Sequence, residues 1–283
     1  MKTHYECVPC MINSLINLFN QGLIAEEYKD NVIKNVLKYY TEVDFNNTPL
    51  LVNRNVHRLI RKLINDPDPY KKLKDRYNSL AIEYYEKYKE KVKNSSNPFQ
   101  TALRLAIAGN IIDFGPGHKI DIDCTIDRVL NNKFPIDDSL LLEQEVKKAK
   151  KILYIADNTG EIVFDKLFIE TINHPEVVLV VRNSPILNDA TMDDAKALGL
   201  DKIAKVITNG DDAPGTLLSA VSEEFFEEFN SADLIISKGQ GNYEGLNHIK
   251  DKNLFLLLMA KCEIIADYIG VKKGDCIIKK AGN

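Results

Sequence analysis

The sequence predicts an α/β protein: a mostly parallel sheet with helices on both faces, preceded by a helical N-terminal domain. Three observations carry this. Up to about residue 148, apolar residues recur at three- and four-residue spacing, and the pattern then changes. Beyond that point, short apolar runs of strand length alternate with amphipathic stretches, as successive strand–helix units do. Each run ends on polar residues, the way a parallel sheet delivers chemistry to the carboxyl ends of its strands. The expected division is 1–148 for the helical domain and 149–283 for the α/β domain.

In the first half, helical periodicity covers residues 10–19, 26–40, 53–63, 69–91 and 98–112. The Asp66-Pro67-Asp68-Pro69 stretch breaks one helix and starts the next, because proline suits a first turn. The cluster Asn94-Ser95-Ser96-Asn97-Pro98 is a second breaker. In the second half the expected strands are 151–156, 177–181, 205–208, 234–237 and 254–260, with a sixth at 276–279. The expected helices between them are 162–172, 190–198, 216–229 and 263–269.

Composition narrows the function classes. A net charge of -4 over 283 residues counts against a general nucleic-acid binder, which needs a basic surface. No apolar run reaches the ~18 residues of a membrane span. The start, Met1 to Cys7, lacks the apolar core of a secretory signal, so the expected location is cytoplasmic. Five cysteines do not read as a disulfide framework. Cys7 and Cys10 form a CxxC pair near a helix start, where the dipole should lower a thiol pKa. Packing, an accessory metal site and redox chemistry stand as alternatives for it. The five histidines show no ligand spacing, and no serine sits in a Gly-x-Ser-x-Gly elbow.

The strand ends are the informative part. The first run leads into Asp157-Asn158-Thr159-Gly160-Glu161, and the second into Arg182-Asn183 with Asn188-Asp189 close behind. The third gives Asn209-Gly210-Asp211-Asp212, the fourth Lys238-Gly239-Gln240-Gly241-Asn242, and the fifth Lys261-Cys262. In a parallel sheet all five ends meet at one edge. Asp157, Asn158 and Asp189 offer oxygen ligands for a hard divalent cation. Capping of the following helix is the competing reading for Asp157 and Asn158. Lys238, with backbone amides near Gly239 and Gly241, suits an anion such as phosphate. Asn110 and Asp113 lie three apart near a helix end, where they either cap the helix before Gly115-Pro116-Gly117 or supply one wall of a site.

These motifs, in this order, resemble the metal-dependent damage-control phosphatases, a former domain-of-unknown-function family. Its members include sugar-phosphate phosphatases once proposed to be protein-glutamate methyltransferases. The N-terminal CxxC is similar to the branch common in archaea and some bacteria. The resemblance implies a helical domain packed on a Rossmann-like α/β domain and a bound Mn²⁺, Ni²⁺, Co²⁺ or Mg²⁺. The family's metal ligands fall on Asp157, Asn158 and Asp189, and the lysine of its Lys-Gly-x-Gly segment on Lys238. Asn110, Asp113, Glu161, Gly239, Gly241, Asn242 and Lys261 complete the expected substrate-binding set. The expected activity is metal-dependent hydrolysis of phosphomonoesters of small metabolites. Asp157 is either a metal ligand only or a nucleophile. The expected partner is a small phosphorylated metabolite, with neither nucleic acid nor membrane; self-association stays open. The rivals are an S-adenosylmethionine-dependent methyltransferase, for which no glycine-rich dinucleotide loop follows the first strand, and a non-enzymatic metal- or thiol-based binding protein.

Overall fold

A computed structural model describes residues 1–111 and 122–282. The first half forms α1 (Cys7–Asn20), α2 (Glu26–Thr41), α3 (Pro49–Ile64), α4 (Lys71–Lys93), α5 (Pro98–Ile111) and α6 (Ile122–Asn131). A two-residue strand, β1 (Ile136–Asp137), and α7 (Ser139–Lys148) follow. The second half alternates β2 (Ile152–Ile155), α8 (Glu161–Ile172), β3 (Val177–Val181), α9 (Met192–Ala197) and β4 (Lys205–Thr208). It continues with α10 (Glu223–Ser231), β5 (Leu234–Lys238), α11 (Gln240–Leu246), β6 (Leu254–Met259), α12 (Glu263–Ile269) and β7 (Cys276–Lys280).

Local chemistry sets these boundaries. Thr48 caps α3 by accepting from the Leu51 N–H, Pro49 occupies the first turn, and left-handed Asn65 ends the helix. Ser222 caps α10 in the same way through the Phe225 N–H. α9 starts on a capping box between Thr191 and Asp194.

The sheet order is β1-β7-β6-β5-β2-β3-β4. From β4 to β6 every pairing is parallel; β7 runs antiparallel to β6, and β1 runs parallel to β7. The sheet is therefore mostly parallel, as the periodicity predicts. The chain builds outward from β2 through β3 to β4, then returns to the other side of β2 with β5. The point of reversal lies between β2 and β5, where open α/β sheets leave a crevice.

Residues on successive positions of the central strands face opposite layers. Ile152 and Tyr154 enter one core, with residues of α4 to α8; Leu153 and Ile155 enter the other, with residues of α10 to α12. A third cluster joins α1, α2 and α3, with Leu15, Val32, Val36 and Ile60 buried in it.

Three expectations are corrected. The helix expected over 216–229 begins only at Glu223, because Pro214-Gly215 and the Ser222 cap keep the preceding residues out of it. A short helix, α11, follows β5, where no helix was among those expected. The first half, read as helical throughout, also contributes β1 to the sheet.

Candidate active site

Asp157 and Asn158 leave the carboxyl end of β2, at the reversal point. A second segment, after β3, is tied to them by backbone. The Ala190 N–H donates to the Asp157 carbonyl at 2.8 Å, and the Thr159 N–H donates to the Asn188 carbonyl at 2.8 Å. Asn158 and Asp189 thereby pair as a short antiparallel bridge. Asp157 and Asp189, 32 residues apart in sequence, are both buried, at 7% and 3% exposure.

The helix-capping alternative for Asp157 and Asn158 is not what forms. α8 starts at Glu161 behind Gly160, with no side-chain cap. Instead the Asp157 Oδ2 accepts from Asn110 Nδ2 and Asn158 Nδ2, each at 2.8 Å. Asn110 reaches this point because Gly109 lets α5 approach α8: a Cβ there would stand 3.1 Å from the Glu161 Cα. Gly239 makes the equivalent space on the other side. Its φ is +84°, and a Cβ would fall 1.9 Å from the Asp157 Oδ2.

Electrostatics leave this acidic pair short of positive charge. Burial, then the nearby Glu161, raises the Asp157 carboxyl above its ordinary range, against Lys261 and Arg182. Burial pushes Asp189 up to about 7, with Arg182 opposing and Asp157 adding repulsion. Arg182, 1% exposed, donates from Nε to the Asp189 Oδ2 at 2.7 Å and lies 3.8 Å from the Asp157 Oδ1. Lys261 is exposed, and its ammonium favours both carboxylates.

The donor set suits a hard divalent cation. Among the described residues, no three His, Cys, Asp or Glu side chains gather as a metal-ligand group. The fit rests on two carboxylates and an amide, Asp157, Asn158 and Asp189. Asn110 Oδ1, buried beside them, has no hydrogen-bond partner among the described residues. Oxygen donors whose charged forms are disfavoured by burial and mutual repulsion are what such a cation satisfies.

Lys238 is placed differently from the expectation. It is 0% exposed and donates to Glu161 Oε1 and Asp165 Oδ1 at 2.6 Å each and to the Ala106 carbonyl at 2.9 Å. Three donors are thus spent beneath the site, and Lys238 has none left for a phosphoryl oxygen. Glu161, expected to touch substrate, is also fully buried; its Oε2 accepts from Asn110 Nδ2 at 2.8 Å and from the Asn158 N–H at 3.3 Å. Asn242 is enclosed too, donating to the Ala156 and Lys238 carbonyls and accepting from Arg182 and Thr216. The Gly239 N–H is used in the sheet, donating to the Leu257 carbonyl at 2.9 Å. Gly241 is packed on Pro214, whose carbonyl oxygen would lie 2.0 Å from an added Cβ. These residues support the acidic pair from below. Asp113 lies outside the described residues.

Sequence reasoning placed Arg182 at a strand end without giving it a role, and passed over Asp165. The available signal for Arg182 was a cation directly after an all-apolar strand. Asp165 sits one helical turn after Glu161, with Tyr154 Oη donating to it at 2.6 Å. A clamp of Arg54, Arg58 and Arg61 from α3 on Asp211 and Asp212 also went unread. The CxxC pair differs from expectation as well. Burial raises both thiols, against a lowering backbone hydrogen bond with His4 at Cys7, and Cys262 and Glu244 add repulsion at each, the opposite direction from the expected lowering.

An acidic pair at the reversal point of a mostly parallel sheet, with an exposed lysine after β6, defines the general class: an α/β protein whose polar residues gather at the strand carboxyl ends. The family model of the damage-control phosphatase ARMT1-like domain matches residues 3–277, and the chain belongs to that family. It is 39% identical over 285 residues to a damage-control phosphatase of Pyrococcus horikoshii, covering 98% of this chain and 97% of that one. A damage-control phosphatase of Archaeoglobus fulgidus is 32% identical over 289 residues, covering 99% of each. An uncharacterized protein of Methanocaldococcus jannaschii is 40% identical over 292 residues, covering 99% of this chain and 96% of the relative. The crystal structure of a DUF89 family protein from Pyrococcus horikoshii superposes with a TM-score of 0.92 at 35% identity, covering 99% of both chains.

Proposed function

We propose that this protein is a divalent-metal-dependent phosphatase acting on phosphomonoesters of small metabolites, sugar phosphates among them. The observation that carries the reading is the backbone pairing that sets Asp157, Asn158 and Asp189 together at the reversal point, with Lys261 exposed beside them. Asp157, Asn158 and Asp189 would hold the ion, Mn²⁺, Ni²⁺, Co²⁺ or Mg²⁺. When bound, it supplies a Lewis acid that neutralises charge on a phosphoryl oxygen.

The chain's own residues do the rest. Lys261 meets the phosphoryl group from the solvent side as a point charge. Arg182 fixes the Asp189 carboxylate through its Nε–H and opposes the protonation of both acids that burial favours. Asn110 and Asn158 hold the Asp157 Oδ2, which fixes the direction of the other oxygen. Glu161 accepts from both amides on the buried side, and Lys238 holds Glu161 there. With Oδ2 accepting two hydrogen bonds, Oδ1 is the Asp157 oxygen left to face the ion.

The test is phosphate release from a panel of sugar phosphates and an aryl phosphate, after chelation and re-addition of each metal. Asp157→Ala and Asp189→Ala are expected to lose metal and activity together with the far-ultraviolet dichroism unchanged. Lys261→Met is expected to raise KM more than it lowers kcat. Full activity in either aspartate variant overturns the assignment.

A further inference from the structure

The turn that delivers Asp189 is held in an unfavourable backbone conformation, and the helices of the first half hold it there. Leu187 has a φ of +46°, a left-handed value that a branched side chain rarely adopts. It lies at the first central position of a turn closed by the Asp189 N–H donating to the Ile186 carbonyl at 3.0 Å. Glycine or asparagine would suit the position better, so the leucine side chain must have another use. That side chain, half-buried, packs against the apolar cluster of α1, α2 and α3, which includes Leu18 and Ile60 and also Tyr70 at the start of α4. A second tie acts two residues earlier: Arg61 of α3 donates to the Pro185 carbonyl while pairing with Asp212. The residue after Leu187 is Asn188, whose carbonyl accepts from Thr159 beside Asp157.

We infer that Leu187 is a positioning residue: its half-buried side chain packed against the α1–α3 cluster, with Arg61 on Pro185, sets the turn that places Asp189 against Asp157 and Asn158. This rests on the reading of those three residues as the metal-holding set. It makes the helical half part of the metal site's construction, not only a wall beside it. Strain held at such a position by surrounding packing is a recognised feature of functional sites.

The test uses the full chain. Leu187→Ala removes the anchor and keeps the strain; Leu187→Met restores the apolar reach. Arg61→Gln releases Pro185 without opening the core, and so remains informative if Leu187→Ala folds poorly. Val32→Ala opens a cavity in the same cluster and controls for lost stability. Mn²⁺ affinity by calorimetry is expected to weaken about tenfold in Leu187→Ala and Arg61→Gln, the range seen when supports of metal ligands are removed. Leu187→Met and Val32→Ala are expected to stay within about twofold of wild type. Amide exchange over 157–163 and 186–191 should accelerate in Leu187→Ala and Arg61→Gln but not in Val32→Ala. Wild-type affinity and exchange in Leu187→Ala and Arg61→Gln overturn the inference, as does an equal loss in Val32→Ala. If the wild type binds no Mn²⁺, the metal reading falls, and the exchange comparison alone decides whether Leu187 positions the turn.

Discussion

Lys238→Met separates two roles for this lysine. Its ammonium sits at zero exposure between Glu161 and Asp165, which are also unexposed. Burial opposes its charge, yet Asp165 and Glu161 hold its pKa above the ordinary lysine value. Methionine fills similar space but leaves two buried carboxylates without a counter-charge. Breaking such a pair costs ~3–5 kcal/mol, a large share of a stability of ~5–15 kcal/mol. Unfolding entropy scales with length, so for 283 residues each kcal/mol moves Tm by about 2 °C, giving a fall of ~6–10 °C. Burial also pushes Asp165 up to about 7, against Lys238. Without the lysine, Asp165 takes up a proton more readily, so the loss should be smaller at pH 6 than at pH 8. Urea unfolding and thermal melts at both pH values measure this. Lys238→Met with Asp165→Asn should recover part of the loss, since one orphaned charge is gone. A Lys238→Met protein that melts within about 2 °C of wild type, with a raised KM for phosphate esters, refutes the buried-support reading and returns the lysine to the substrate.

Two further outcomes follow from the site's geometry. Gly239→Ala should abolish Mn²⁺ binding, because the added methyl would meet the Asp157 Oδ2; Gly274→Ala carries a similar positive φ into open space and should bind the ion normally. Both are checked by calorimetric titration. Proton competition should also be visible. Asp189 is raised to about 7, so Mn²⁺ affinity should fall by up to about tenfold per pH unit below that point, with proton release on binding at pH 6 and little at pH 8.5. For the metal-free protein the sign is that of a raised acid. The stability contribution of Asp189 is complete below the unfolded value of ~3.9 and is lost as pH rises through about 7. Titrations in buffers of different ionisation enthalpy read the proton count, and a pH-independent affinity contradicts the link.

The sheet was legible because a strand covered on both faces is apolar at every position. β2, β3 and β5 are buried throughout; the first two are wholly apolar, as are the first three residues of β5, and these runs stand out against the amphipathic helices. The start of α10 was not legible. Leu217, Leu218 and Val221 have helical spacing, but Gly215 at φ +147° packs on the Gly241 carbonyl and holds the loop open. In the site, Asp157 and Asn158 were legible as a strand end, since parallel topology brings such ends to one edge; Asp189, beyond the end of β3, joins them through the turn at Leu187. The direction of Lys238 was not. A lysine before a glycine at a strand end reads the same whether it faces a ligand or the core, and its partners Glu161 and Asp165 lie more than 70 residues away. Arg182 was hidden for a related reason: its acceptor Asp189 is near in sequence, but only the turn through Leu187 folds it back.

The last strand has a bearing on how the molecule is made. β7 lies between β6 and β1, and it covers an edge whose residues Leu254 to Leu258 are all buried. Until residues 276–280 are in place, β6 presents unpaired backbone and apolar side chains together, the combination that recruits strands from other chains. Completing the sheet is therefore also the step that withdraws the stickiest surface of a half-folded chain from its neighbours. A shortened or stalled polypeptide would reach the cell's quality control with its phosphatase-family residues present and its edge still open.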